Sequence, residues 1–254
     1  MFLKTLAGRC IHQGLDGTKV QQNLTYRWLT LDSDAIQTLI NRRHPERSGL
    51  QYVPSLSLAA RAVPGPSCLL GLGGAGVAHA LAPCLCDFPL DAVESSHEVI
   101  EIAARFFMTG AIKNLNIIHQ DAFLHVQRTQ MRYQHLMVDL FGAHSFPEHC
   151  NNADFFRLCQ RVLLPGGILA VNLANAHEQW PVSMLIREHF RLRTVCIPVN
   201  GIANMVVLAC NGKSIKPLLS LIENHPRLKQ LYWDSDWGYI ARGHWTNLSH
   251  GSRA

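Results

Sequence analysis

The sequence predicts a doubly wound α/β domain, a largely parallel sheet with helices on both faces, preceded by a small β-rich N-terminal module. Three observations carry this prediction. From about residue 51 short apolar runs alternate with helix-length amphipathic stretches, the pattern that builds parallel sheets through crossover helices. The first such run opens directly into Gly71-Leu72-Gly73-Gly74-Ala75-Gly76. Within the first fifty residues β-compatible runs follow the hairpin signal Asp16-Gly17 instead.

Taken in order, Thr18–Gln22 and Tyr26–Leu31 read as strands and Ile36–Asn41 as helical, and the polar, Pro-containing Arg43–Gly49 reads as a linker. Ser67–Leu72 is the first strand of the α/β part, and the small residues of Val77–Leu85 suit a helix until Pro83. Pro89–Val93 is a strand, Glu98–Phe107 an amphipathic helix, Leu115–His119 a strand and Asp121–Arg128 a helix. His135–Val138 is a strand, Ala153–Leu163 a helix, Pro165-Gly166-Gly167 a turn, Ile168–Leu173 a strand and Gln179–His189 a helix. Arg193–Pro198 and Asn204–Ala209 have no room for a helix between them, so they close the sheet as an antiparallel hairpin around Asn200-Gly201. The expected organisation is a β-rich module over 1–50, an α/β domain over 51–212, and a helix with a Trp-rich tail over 213–254.

Composition narrows the class. Of 254 residues, 48% are apolar and 16% charged, which favours a buried core over disorder. The net charge of +5 is spread thinly, and its one run, Arg42-Arg43-His44, is no nucleic-acid footprint. No apolar run approaches the roughly 20 residues of a membrane span. Met1–Ala7 is too short for a secretory core, so a soluble protein of the reducing cytoplasm is expected. Cys68 and Cys210 sit in apolar runs as small hydrophobes, and Cys84-Leu85-Cys86 reads as a pair at a buried helix end.

The chemistry concentrates at strand ends. Glycines after the first strand let the backbone turn tightly and approach a ligand, and the following helix N-terminus favours an electron-rich group. Glu94 ends the second strand, where a carboxylate can accept hydrogen bonds from both ribose hydroxyls; the lesser alternative is an exposed loop acid. Asp121-Ala122 follows the third strand, where the acid can take an adenine amino group, cap a helix, or do both. Asp139 ends the fourth strand at the same sheet edge, as a base facing the crevice or as a solvated turn acid. Order and spacing together point to a nucleoside site.

Gly71–Gly76, Val93-Glu94, Gln120-Asp121-Ala122, Val138-Asp139 and Leu164-Pro165-Gly166-Gly167 resemble the motif series of class I S-adenosylmethionine-dependent transferases. Within that group the chain most resembles the polyamine aminopropyltransferases, the spermidine synthases. Leu31-Asp32-Ser33-Asp34-Ala35-Ile36-Gln37 is similar to the family's Leu-Asp-Gly-x-x-Gln segment, and Tyr52 stands where the family keeps a substrate-side tyrosine. The resemblance implies a Rossmann-like, seven-stranded doubly wound sheet with an antiparallel last strand. It implies that Gln37, Gly71, Gly73, Gly74, Gly76, Glu94, Asp121 and Ala122 hold S-adenosylmethionine or its decarboxylated form. It gives Asp139 the place of the catalytic aspartate, Tyr52 a substrate-binding role, a small amine as acceptor, and a homodimer as assembly.

The departures fall on acids. Gly74 stands where the family carries a loop aspartate that selects the decarboxylated donor's amine, and Gly142 replaces a second acid beyond Asp139. Val53-Pro54 follows the tyrosine where the family has a glutamate nearby. Three readings therefore stand: aminopropyl transfer, methyl transfer, and a catalytically silent nucleoside-binding protein. His144, His149 and Cys150 lack the paired spacing of a zinc site and read as an active-site loop with no metal. Trp233, Trp237 and Trp245 read as packing for the terminal segment, with Asp234 and Asp236 solvated between them.

Overall fold

Short segments rich in β-branched residues set the architecture at the start of the chain. The computed structural model describes residues 2–14, 17–33, 35–140, 145–230, 232–234 and 240–242. A one-turn helix α1 (Phe2–Thr5) leads into a meander of β1 (Arg9–Gln13), β2 (Lys19–Gln22), β3 (Tyr26–Thr30) and β4 (Ile36–Asn41), paired antiparallel in chain order. Ile36–Asn41 is thus a strand and not the expected helix. Ile36, Thr38 and Ile40 are β-branched at alternate positions, and six residues are too few for a stable helix while sufficing to pair with β3.

Two short helices, α2 (Val53–Leu56) and α3 (Leu58–Ala62), lead to β5 (Ser67–Leu70) and α4 (Gly76–Leu81). The alternation continues through β6 (Leu90–Glu94), α5 (His97–Phe106), β7 (Leu115–His119), α6 (Ala122–Arg128), β8 (Tyr133–Val138) and α7 (Ala153–Val162). It closes with β9 (Leu163–Leu173), α8 (Ala176–His189), β10 (Thr194–Pro198), β11 (Met205–Cys210) and α9 (Lys216–Asn224). Two three-residue strands, β12 (Tyr232–Asp234) and β13 (Ile240–Arg242), follow.

These strands form one sheet in the order β12-β13-β10-β11-β9-β8-β5-β6-β7. β5 to β9 are parallel, and β11 runs antiparallel between β9 and β10, as expected of the last strand of the seven. β12 and β13 extend the sheet beyond β10, where the sequence suggested only a tail. The chain order reverses at β5, which lies between β6 and β8, so the crevice outside the strand C-termini opens above Leu70. Pro165-Gly166-Gly167 does not separate helix from strand; it lies inside β9, with Gly166 at φ +80° and the register against β8 shifted there. Hydrogen bonds to Asn211 on both sides of the irregularity hold it in the sheet.

The sheet is buried on both faces. Leu69, Ala92, Met137 and Ala170 point into one core with α4 and α9, whereas Cys68, Leu70, Leu136 and Val138 point into the other with Phe155 and Phe156 of α7. Trp28 and Leu39 of the N-terminal meander belong to the first core, and Val20, Leu29 and Ile40 pack on Ile102 and Phe107. The meander therefore sits against the glycine-loop side of the large sheet. Cys68 and Cys210 are buried as expected, but Cys86 is exposed and Cys84 half-buried, because α4 stops at Leu81 before Pro83. No described helix is long and apolar enough to cross a membrane. Asp16, Asp34, Gly142, His144, Asp236, Trp237 and Trp245, all weighed in the sequence, lie outside the described residues.

One buried polar group braces the parallel strands. Tyr133 of β8 donates to Asp91 Oδ2 of β6 at 2.7 Å, and Asn116 of β7 donates to Oδ1 at 2.9 Å. Burial and the neighbouring Cys68 and Asp91 push the Tyr133 phenol far up, so it stays a donor. Tyr133→Phe is expected to cost about 1–3 kcal/mol by stranding the Asp91 oxygen, measured as a lowered midpoint of denaturant unfolding.

Candidate active site

Four strand ends bring the site together. The loop after β5 needs glycine where the chains approach most closely: a Cβ on Gly71, which has φ +95°, would lie 2.3 Å from the Asp139 carbonyl oxygen. Gly73 also takes positive φ, at +51°. Glu94 at the end of β6 reaches back to this loop, accepting from the Leu72 and Gly73 N–H groups through Oε2 at 3.1 and 3.3 Å. Its Oε1 accepts from Ser96 N–H at 3.0 Å, so the carboxylate is fixed at the crevice floor before any ligand arrives.

Asp121 begins α6 and is its N-cap, with Oδ1 accepting from Leu124 N–H at 3.0 Å. Its Oδ2 accepts from His149 Nε2 at 2.9 Å. Burial pushes the Asp121 carboxyl up, but the Leu124 N–H and the His149 ring outweigh it and hold the group below the usual carboxylate range.

Asp139, just past β8, is the deep end. Tyr52 donates its hydroxyl to Asp139 Oδ2 at 2.8 Å, and Asn172 of β9 donates its amide to Oδ1 at 2.9 Å. Asn204 in turn donates to Asn172 Oδ1 at 2.9 Å, which fixes the orientation of the Asn172 amide. Burial raises the Asp139 carboxyl above its ordinary range, and the two donors pull it part of the way back. Burial and the Asp139 charge raise the Tyr52 phenol well above its own range, so Tyr52 remains the donor. The pair is built to hold a carboxylate that accepts a proton readily.

A cleft of about 350 Å³ joins these groups. Of the residues singled out in the sequence, Gln37, Tyr52, Gly71, Gly73, Gly76, Glu94, Asp121, Ala122 and Asp139 line it. Gly74 does not. Its N–H donates to Thr38 Oγ1 at 2.8 Å, and a Cβ there would meet the Phe107 ring and the Thr38 methyl at 2.9 Å. His149 and Cys150 of the expected active-site loop and Gln120 of the Asp121 motif line it too, while Thr38, Glu98, Asn172 and Asn204, which the sequence reading did not place, contribute to the cleft or its support. The only available signal was polarity at a buried strand end, as at Asn172. The described lining holds four carboxylates, Glu94, Glu98, Asp121 and Asp139, and neither lysine nor arginine. Among the described residues no three His, Cys, Asp or Glu side chains gather as a metal-binding group.

No family model matches the chain. It is 25% identical over 194 residues to a polyamine aminopropyltransferase of Vibrio vulnificus, an alignment covering 68% of this chain and 64% of that protein. A polyamine aminopropyltransferase of Neisseria meningitidis is 25% identical over 202 residues, covering 77% of this chain and 76% of the relative. In sequence the chain is thus similar to polyamine aminopropyltransferases. Among solved structures, a probable spermidine synthase from Corynebacterium glutamicum superposes with a TM-score of 0.70 at 13% identity, over 97% of this chain and 95% of that one. A spermidine synthase in complex with the transition state analogue AdoDATO gives 0.68 at 14% identity, over 91% and 83%. Human methyltransferase-like protein 13, in complex with SAH, gives 0.61 at 16% identity, over 74% and 97%. The likeness in fold to the probable spermidine synthase takes in nearly the whole chain, whereas that to the methyltransferase-like protein takes in about three quarters of it.

Proposed function

We propose that this chain is an aminopropyltransferase that takes decarboxylated S-adenosylmethionine as donor and a small amine as acceptor. The observation that carries the reading is the charge of the cleft. In a protein of net charge +5, the described lining presents four carboxylates and no lysine or arginine, an arrangement suited to a sulfonium and an ammonium. The resemblance to the polyamine aminopropyltransferases supports the same assignment.

In this reading the glycine loop, Glu94 and Asp121 hold the nucleoside, with Glu94 at the ribose hydroxyls and Asp121 at the base. Asp139 and Tyr52 receive the acceptor amine. The acceptor nitrogen attacks the carbon next to sulfur, the carbon–sulfur bond breaks toward methylthioadenosine, and the proton leaving nitrogen goes to Asp139. Asn172 and Tyr52 keep the Asp139 oxygens aimed and desolvated. Gln37 and Ala122 line the same cleft and are assigned to the nucleoside in this reading. The absence of an acid at Gly74 favours a second reading, methyl transfer from intact S-adenosylmethionine.

Calorimetric titration with both donors, and turnover with a panel of mono-, di- and polyamines, separates these readings. Tighter binding of the decarboxylated donor with methylthioadenosine release supports aminopropyl transfer. Preference for the intact donor moves the assignment to methyl transfer. Binding without turnover leaves a nucleoside-binding protein, and no binding at all sinks the nucleoside site.

A further inference from the structure

The contact between His149 and Asp121 has no structural duty to explain it. Both side chains are open to solvent, at 59% and 32% exposure, and an ion pair so placed adds little to stability. Yet both line the cleft. His149 belongs to the turn Glu148–Cys150, and that turn is firmly held. Cys150 is buried, Asn152 donates to the His149 carbonyl at 2.8 Å, and Glu178 of α8 accepts from Phe146 N–H at 3.1 Å. The imidazole is therefore presented to Asp121 from a fixed support.

We propose that His149 is a specificity-determining residue that makes the cleft select an aminopurine. The inference rests on the nucleoside reading above and deepens it. Asp121 Oδ1 is committed to the Leu124 N–H, which leaves Oδ2 as the oxygen that meets a base. The His149 N–H occupies one lone pair of Oδ2 at 2.9 Å, keeping the carboxylate ionised and its rotation stopped. An ionised oxygen held this way accepts from an exocyclic amino group and repels an exocyclic carbonyl. Without the imidazole the carboxyl keeps only the Leu124 N–H and can turn, so Oδ2 no longer meets an amino group in line and rejects a carbonyl less sharply. His149 acts through Asp121 and is a positioning residue.

The test compares binding of 5′-methylthioadenosine and 5′-methylthioinosine to the full chain by calorimetry. The wild type is expected to prefer the adenosine by at least about tenfold, the scale of one well-made hydrogen bond against a mispaired one. His149→Ala is expected to shrink that preference to about threefold or less, and His149→Gln, which can still donate an N–H to Asp121, to keep most of it. Equal weakening of both ligands in His149→Ala would mark a structural role and overturn the inference, as would an unchanged ratio. Asp121→Asn supplies a second variant: it is expected to lose the preference while His149 is intact. Failure of the wild type to bind either nucleoside would instead defeat the nucleoside reading itself, and the inference with it.

Discussion

Asp139→Asn is expected to lower the transfer rate about 100- to 10,000-fold, the range that a positioned general base contributes, while donor affinity changes little. Asparagine keeps the shape of the site. Its oxygen can accept from Asn172 and its amide can donate to the Tyr52 oxygen, so only the Tyr52 O–H loses its acceptor. What disappears is the capacity to take a proton from the acceptor ammonium. Steady-state rates with the decarboxylated donor and the preferred amine measure the effect, alongside donor titration. A variant retaining more than about a tenth of wild-type turnover would remove Asp139 from the proton's path.

The same substitution carries a stability signature of definite sign. Burial raises the Asp139 carboxyl above its unfolded value, so its favourable contribution is present below that value and lost as pH rises through the folded one. At neutral pH the ionised, buried carboxylate costs stability, and Asp139→Asn relieves the cost. Relative to wild type, the denaturant midpoint of the variant is expected to rise as pH increases from about 4, near the ordinary aspartate value, through the raised Asp139 range. The wild-type rate should rise with pH through the raised Asp139 range, because only the ionised form accepts a proton. Loss of function combined with a stability that gains on wild type as pH rises separates a catalytic carboxylate from one retained for the fold.

Glu94, Asp121 and Asp139 were legible in the sequence because each ends a strand or opens the helix after it, and a parallel sheet brings all such ends to one edge. Their partners were not legible. Thr38 meets Gly74 across 36 positions, Asn172 meets Asp139 across 33, and His149 meets Asp121 across 28. No periodicity within one element records which side chain another element will present. The same limit explains Ile36–Asn41, whose apolar residues suit either period until β3 is known to lie beside them. Pro165-Gly166-Gly167 likewise looks like a chain end, and only the Asn211 hydrogen bonds make it a bulge within β9.

Gly74→Asp restores the loop acid of the polyamine aminopropyltransferases, and it is expected to damage this protein without sharpening its choice of donor. The added Cβ would meet the Phe107 ring and the Thr38 methyl at 2.9 Å, and both side chains are buried. Overpacking of that kind, with a carboxylate brought into an apolar contact, costs about 2–4 kcal/mol. It also strains the Gly74 N–H bond to Thr38 that ties β4 to the glycine loop. Because the Cβ direction leads to β4 and α5, and Gly74 does not line the cleft, the new charge faces away from any donor amine. Gly74→Ala is the control: carrying the Cβ without the charge, it should show about half or more of the destabilisation. Denaturant unfolding and paired titrations with the intact and decarboxylated donors read both effects. A stable Gly74→Asp variant with a stronger preference for the decarboxylated donor would mean that the loop turns residue 74 toward the ligand on binding. Unchanged preference in a weakened protein would leave donor selection to the carboxylates already facing the cleft.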